Sequence, residues 1–400
     1  MNQDTKTIYV TFALLILSSI AYGFFMDETF LHFLANHGST INGNLPYRKG
    51  FFLLLAPSFL FFAPFLGDLS DRIGRKKILS ICSYLLIFTY MMSIFAYTSS
   101  SIPLRIATNW IFGVSMGFWA VAYATLFDLS RKTKRLKYVV YLIAITHLGF
   151  FAATLFNHNF KILHSNPIIT LYLALGLQTI CSLIIFFLFK QPKPTFPDRN
   201  KTEHFKLFSQ RITRLFASPK ARNAYFISAL YILTLDLYTA TAINQPIGGY
   251  YILHAMNNLN IYSYCILTFS VPLIFILKKA LPETKRIILY GSLLVILGVA
   301  WQSVHVSHNT PWIPATLISL GLACLSTTVY FLSSARSPRF YGLMAGLFVA
   351  MWALISIFAN IIIYTLNKFL LPDQSFYSIM LLIVFIMIFL YFFTSKRIKG

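Results

Sequence analysis

Acidic side chains are scarce in this sequence, 11 in 400 residues, and three of them sit inside apolar runs. Asp236 occurs in Tyr231-Ile232-Leu233-Thr234-Leu235-Asp236-Leu237-Tyr238, and Asp27 and Glu28 occur in Phe25-Met26-Asp27-Glu28-Thr29-Phe30. An ionised carboxylate in apolar surroundings is costly, so it faces a cavity, takes a partner or takes up a proton. Burial raises its pKa, and a change in hydration then binds or releases the proton. His147, also in an apolar run, adds a group whose unperturbed pKa lies near neutrality. These four side chains could couple a process to a proton gradient. The bland alternatives are a structural hydrogen-bond role for Asp236 and His147, and an interfacial position for Asp27 and Glu28. A carboxylate of this kind could also bind a cationic substrate directly, in competition with the proton.

A second group of charges is packed into one short segment, Gly67-Asp68-Leu69-Ser70-Asp71-Arg72-Ile73-Gly74-Arg75-Lys76-Lys77. Carboxylates among cations form charge-assisted pairs, or sit against a helix N-terminus whose partial positive charge favours an anion. Gly67 and Gly74 permit close backbone approach and unusual dihedrals. A loop that only set membrane orientation would need its basic residues alone. The aspartates and glycines at fixed spacing therefore predict a built contact.

Long apolar segments must position these groups. Hydrophobic residues make up 57% of the chain and charged residues only 11%, against roughly 25% charged in soluble domains. Ile78–Leu104 and Ile287–Ala335 contain no Asp, Glu, Lys or Arg. Such runs read as membrane spans. We place spans near 8–36, 50–66, 78–97, 104–127, 138–157, 168–189, 222–253, 259–277, 287–304, 312–333, 340–366 and 374–395. The predicted fold class is an all-α membrane protein with twelve transmembrane helices.

The net charge of +22 alternates with every second loop. Of the 33 Lys and Arg residues, 28 fall on one side of this topology and 5 on the other. The positive-inside rule then puts both termini in the cytoplasm. Nucleic-acid binding needs one basic face instead, so nucleic acid is not an expected partner. The four cysteines, Cys82, Cys181, Cys265 and Cys324, all fall in spans and read as small buried hydrophobes. The first apolar stretch lacks a preceding basic run and is too long for a signal sequence, so we expect it to be retained. The Phe-, Ile-, Lys- and Asn-rich composition fits an AT-rich bacterial source and hence the inner membrane.

The longest polar stretch, Lys190 to Arg222, divides the spans six and six. The expected organisation is a bundle over 1–189, a linker over 190–221 and a second bundle over 222–400. Within the linker, Phe205, Phe208, Ile212, Leu215 and Phe216 recur at helical spacing among basic residues. This predicts a basic amphipathic helix on the membrane surface, its cations reaching lipid phosphates.

The Gly67–Lys77 segment closely resembles the signature loop of the major facilitator superfamily, and it lies between the second and third spans as in that family. The resemblance implies two pseudo-symmetric six-helix bundles that pivot about a central pocket, where substrate binds near the bilayer midplane. It implies a conformational latch built from Gly67, Asp71, Arg72, Gly74 and Arg75, with Asp71 facing the start of the eleventh span near Arg339–Gly342. Asp128, with Arg131 and Arg135, matches a second family feature of the same kind. The Asp27-Glu28 stretch resembles the acidic stretch of the family's drug–proton antiporters. Two features depart from that branch. Asn109 stands where many members carry arginine, with Arg105 one helical turn earlier. The fifth span reads Leu148-Gly149-Phe150-Phe151-Ala152-Ala153 and lacks the antiporters' Gly-Pro.

Candidate pocket residues are Asn109, Trp119, Tyr123, Tyr231, Tyr238, Asn244 and Gln245. In a chain with 40 Phe and 23 Tyr, any single aromatic residue can equally pack or face lipid. No Gly-rich phosphate loop, paired-histidine metal motif or catalytic constellation occurs. The sequence therefore predicts a monomeric, non-enzymatic, cofactor-free transporter with a small organic solute and protons as partners, efflux favoured. An importer or metabolite carrier is the alternative, and a non-transporting sensor or assembly factor of the same fold is a further one.

Overall fold

The computed structural model describes residues 3–27, 46–130, 135–159, 167–192, 204–217, 222, 225–234, 284–304, 312–335, 341–369, 379 and 382–386. Among the described residues every regular element is helical. In chain order they are α1 (Gln3–Asp27), α2 (Pro46–Ile73), α3 (Arg75–Thr98), α4 (Ile102–Ser115), α5 (Gly117–Leu129), α6 (Arg135–Asn159) and α7 (Pro167–Phe187). There follow α8 (His204–Ala217), α9 (Tyr225–Thr234), α10 (Thr284–Val304), α11 (Trp312–Ala335) and α12 (Tyr341–Phe369). Helices α4 and α5 form one expected span, interrupted only at Met116, which stays right-handed with φ −61°. Each expected span except the eighth, 259–277, overlaps described helix, the first, seventh and twelfth only over 8–27, 225–234 and 382–386. The eighth and Cys265 lie outside the described residues.

The helices are apolar on the outside. On α3, Ile81, Tyr84, Phe88, Met91 and Phe95 are exposed at spacings of three and four, while Leu79, Cys82, Leu86 and Tyr90 are buried on the opposite face. On α7, Leu183, Phe186 and Phe187 point outward, the last 72% exposed. A continuous exposed stripe of large hydrophobic side chains is incompatible with water and suits lipid. Asp4–Phe25, Arg75–Thr98, Pro103–Leu129 and Ile168–Phe187 are each long and apolar enough to cross a membrane.

Polar groups sit on the inner faces and bond there. Ser83 and Ser182 hydroxyls meet at 2.7 Å, and the Gln178 amide donates to Ser83 Oγ at 2.8 Å, tying α3 to α7. Thr11, Thr89, Thr108 and Thr125 each return their hydroxyl to the carbonyl four residues earlier. A helix thus buries a hydroxyl in hydrocarbon without an unmet donor. Ser101 caps α4, accepting from the Leu104 amide at 3.5 Å, with Pro103 in the first turn where no donor is lost.

By contacts the chain divides into two compact units. The first holds Met1–Lys134, Leu148–Leu215 and Ser337–Ile357; the second holds Arg135–His147, Phe216–Arg336 and Phe358–Gly400. In the second, α10 and α11 cross on glycine. A Cβ on Gly321 would lie 2.5 Å from the Gly291 carbonyl oxygen and 2.6 Å from Val295 Cγ2, and one on Gly298 would lie 2.6 Å from Ile318 Cγ1. Small residues allow this approach, which substitutes dispersion contact for the hydrophobic effect that lipid cannot supply. In the first unit, by contrast, Gly176 faces open space.

We predict that Gly321→Val destabilises the protein by about 1–3 kcal/mol through overpacking. Gly176→Ala should stabilise it by up to about 1 kcal/mol through helix propensity. Thermal unfolding of the detergent-purified chain checks both; equal effects of the two changes would contradict the crossing.

Candidate functional site

The site begins with a backbone crossing in the first unit. A Cβ on Gly67 would fall inside the van der Waals radius of the Gly342 carbonyl oxygen, and one on Gly342 would do the same to Gly67. One turn away, a Cβ on Gly346 would lie 2.5 Å from Pro64 Cα. Ala63 with Gly67 on α2, and Gly342 with Gly346 on α12, are each four residues apart and form a small-residue crossing. The start of α12 is thereby held against the last two turns of α2.

Asp71 occupies that junction and is 1% exposed. The Gly342 amide donates to Oδ1 at 3.0 Å and to Oδ2 at 3.2 Å, and the Leu343 amide donates to Oδ2 at 3.3 Å. These first-turn N–H groups have no partner within their own helix. Asp71 therefore caps α12 from a different helix, with the macrodipole favouring its charge. Arg75 Nη2 donates to the same carboxylate, Nη1 to Ser70 Oγ, and Nε to Asp128 Oδ2 at 2.8 Å. Gly74 lets the chain double back this way. Its φ of +115° is reserved for glycine, and a Cβ there would collide with the Gln191 side chain.

Asp68, one turn before Arg72, pairs with it and also accepts from Arg211 Nη1 at 2.9 Å. Arg211 belongs to α8, whose Phe208 ring packs on Phe65 at 5.6 Å and Phe61 at 6.4 Å. Asp68 with two arginines and Arg75 with two aspartates thus bring together three carboxylates and three guanidiniums, so the charge is balanced. Burial is the strongest influence on Asp71 and raises its pKa above the ordinary aspartate value of 3.8. Arg75 opposes that rise, the Asp128 charge adds to it, and the two amide donors oppose it.

Sequence reading did not anticipate the roles of Asp68 and Arg211. It sent the cations of the linker helix to lipid. The signal was present in the spacing: Arg211 follows Phe208 by three residues and precedes Leu215 by four, and both of those are buried. Arg211 therefore shares their inward face.

The remaining candidates are dispersed. Asn109 on α4 and Trp119 and Tyr123 on α5 are buried in the first unit, and Tyr231 on α9 is buried in the second. Trp119 meets Tyr22 edge-on at 5.5 Å. Asp27 is the last residue of α1 and His147 lies in α6, but their side chains lie outside the description. Glu28, Asp236, Tyr238, Asn244, Gln245, Arg131 and Arg339 lie outside the described residues. Arg105, one helical turn before Asn109, is buried.

Asp71→Ala leaves the Gly342 and Leu343 amides without their acceptor and removes one of the carboxylates that pair with Arg75. We predict a loss of about 3 kcal/mol or more, read as faster hydrogen exchange at those two amides. Unchanged exchange there would show that the carboxylate does not cap α12.

Among solved structures, the chain is similar to the human organic anion transporter MFSD10 (TETRAN), with a TM-score of 0.79 and 15% identity over 98% of this chain and 100% of that one. It is also similar to the E. coli fucose:proton symporter FucP, with a TM-score of 0.71 and 11% identity over 97% and 98%. A FucP structure in the outward conformation gives a TM-score of 0.69, with 11% identity over 97% and 99%. No curated protein sequence gives a significant match. The likeness to these transporters establishes the expected all-α membrane fold. The family model for the Major Facilitator Superfamily matches residues 8–360. With that match over most of its length, and a charged loop that holds one helix by the start of another, the chain belongs to the Major Facilitator Superfamily of membrane transporters.

Proposed function

We propose that this protein is a proton-coupled secondary active transporter that exports a small organic solute across a bacterial inner membrane by alternating access. The observation that carries the reading is the contact of Asp71 with the first amides of α12. Three amide hydrogen bonds and the Arg75 ion pair meet at Asp71, so breaking the amide contact releases α12 from α2 in one step. We assign Gly67, Asp71, Arg72, Gly74 and Arg75 to this latch, on the cytoplasmic side with both termini. The rocking bodies are 1–189 and 222–400, joined by 190–221. Asp236, with Asp27 or Glu28, carries the coupling proton, and His147 assists. Asn109, Trp119, Tyr123, Tyr231, Tyr238, Asn244 and Gln245 contribute to the substrate path. The protein acts as a monomer without cofactor and is not an enzyme.

An importer is the second reading. It is supported by the missing Gly-Pro in Leu148–Ala153 and by fold likeness to a protein described as a fucose:proton symporter. A sensor that has lost transport predicts no solute movement at all. Proteoliposomes with an imposed pH gradient separate the three by the presence and direction of solute flux. Asp236→Asn, and Asp27→Asn combined with Glu28→Gln, should each lower pH-driven flux about tenfold or more, equivalent to about 1.4 kcal/mol. Full flux in both variants would refute the assignment of these carboxylates.

The latch carries its own pH dependence. Asp71 has a raised pKa where it is buried and returns toward the ordinary value once the contact opens into water. The closed arrangement therefore holds the proton more tightly and is favoured at low pH. Its population falls as pH rises from about 4 through the raised value. Cysteine accessibility at position 343 should increase over that interval, and Asp71→Asn should abolish the trend. A trend of opposite sign, or one that survives in Asp71→Asn, would place the titrating group elsewhere.

A further inference from the structure

At the other end of the first unit from the charged loop, α4 buries one polar face. Arg105, Thr108, Asn109 and Phe112 are all buried, with Arg105 5% and Asn109 1% exposed, while Ile106 and Trp110 point outward. The Thr108 hydroxyl is satisfied by the Leu104 carbonyl. Arg105 Nε and Asn109 Oδ1 are buried and have no hydrogen-bond partner among the described residues. The Arg105 guanidinium carbon lies 5.5 Å from the centre of the Phe25 ring, a cation–π contact. Tyr90 packs on the same ring at 5.4 Å, and its buried hydroxyl also has no partner.

Buried polar atoms are nearly always bonded, and a buried guanidinium ordinarily takes a carboxylate. Among the described residues no carboxylate pairs with Arg105. Asp128, which does bind an arginine, lies 23 residues further along the α4–α5 span, roughly 35 Å away. Two of these polar groups, on Arg105 and Tyr90, flank one phenylalanine ring, and Asn109 Oδ1 lies one turn along α4 from Arg105; together they mark a place where a ligand completes the hydrogen bonding. Phe25 belongs to a stack of aromatic rings. Phe25 stacks on Phe112 at 4.7 Å, Phe112 on Tyr22 at 5.6 Å, and Trp119 meets Tyr22 edge-on.

We propose that Arg105, Asn109 and Tyr90 form a binding site for a small aromatic carboxylate that carries a second, hydrogen-bond-donating group. The guanidinium takes the carboxylate through two parallel N–H donors. Asn109, one turn along the same face and about 5–6 Å away at the Cβ atoms, accepts from the ligand's donor. The Phe25, Phe112 and Tyr22 rings receive its apolar body. As a statement about the solute carried, this rests on the transporter reading above. As a statement about binding, it does not.

The test uses the full chain in detergent, with benzoate, 4-hydroxybenzoate and benzylamine as probes, read by thermal shift and titration calorimetry. Both carboxylates should bind, 4-hydroxybenzoate about tenfold more tightly than benzoate, and benzylamine should not. Arg105→Gln should weaken both carboxylates about 10–100-fold, and Asn109→Leu should remove only the advantage of 4-hydroxybenzoate. Should Arg105→Gln not fold, Arg105→Lys keeps the charge but not the fork, and should still weaken binding about tenfold. Absence of carboxylate binding to the wild type, or undiminished binding in the Arg105 variant, overturns the site. So does binding that appears only in Asp27→Asn/Glu28→Gln, because Arg105 would then have an internal partner. Proteoliposomes keep the two readings apart. Carboxylate binding without any solute flux sinks the transporter reading and leaves the site. Flux of another solute with no carboxylate binding does the reverse.

Discussion

One carboxylate connects the charged loop to the helix that follows it in space. Asp71 ends α2, yet its oxygens complete the first turn of α12, 271 residues later in the chain. The contact needs a helix N-terminus that brings its free N–H groups within reach, and only a glycine crossing permits that. A methyl group at Gly67 or Gly342 would push α12 away and leave both the amides and the aspartate unmet. Backbone packing and electrostatics are therefore a single constraint here.

The other charges are arranged around that constraint. Arg75 spans Asp71 and Asp128, so the end of α5 is drawn into the same cluster. Asp68 divides itself between Arg72 and Arg211, which brings in the linker helix α8. Buried ions are tolerable only when each finds an opposite charge and its remaining hydrogen bonds. In the cluster each of the three ions of either sign has an opposite charge beside it, while Arg72 Nε makes no hydrogen bond among the described residues. A cluster of this type is a poor source of net stability but a good discriminator between arrangements, because losing one partner strands the others. That property suits a protein that must exchange two conformations.

The first unit deals with polarity differently at its far end. There a buried guanidinium lies over the Phe25 ring, one turn from a buried amide, and Arg105 Nε and Asn109 Oδ1 have no hydrogen-bond partner among the described residues. One end of the bundle closes its own charges and the other leaves them available. Asp68, Asp71 and Asp128 all serve the loop end, and among the described residues no carboxylate pairs with Arg105.

The sequence by itself determined the membrane class, the positions of the spans, the family and the amphipathic linker helix. All of these depend on local composition, periodicity or a contiguous motif, which a chain carries whatever its tertiary contacts. Only the tertiary structure decided which carboxylate meets which guanidinium. Asp71 reaches Gly342, Arg75 reaches Asp128 and Asp68 reaches Arg211 across 53 to 271 residues of chain. The family resemblance pointed Asp71 toward Gly342, and the spacing put Arg211 on the buried face of α8, but nothing in the spacing said which acid Arg211 meets. The burial of Arg105 was hidden for the same reason. A charge near a span's end reads as interfacial until neighbouring helices close over it, and that closure is a property of packing rather than of the α4 sequence.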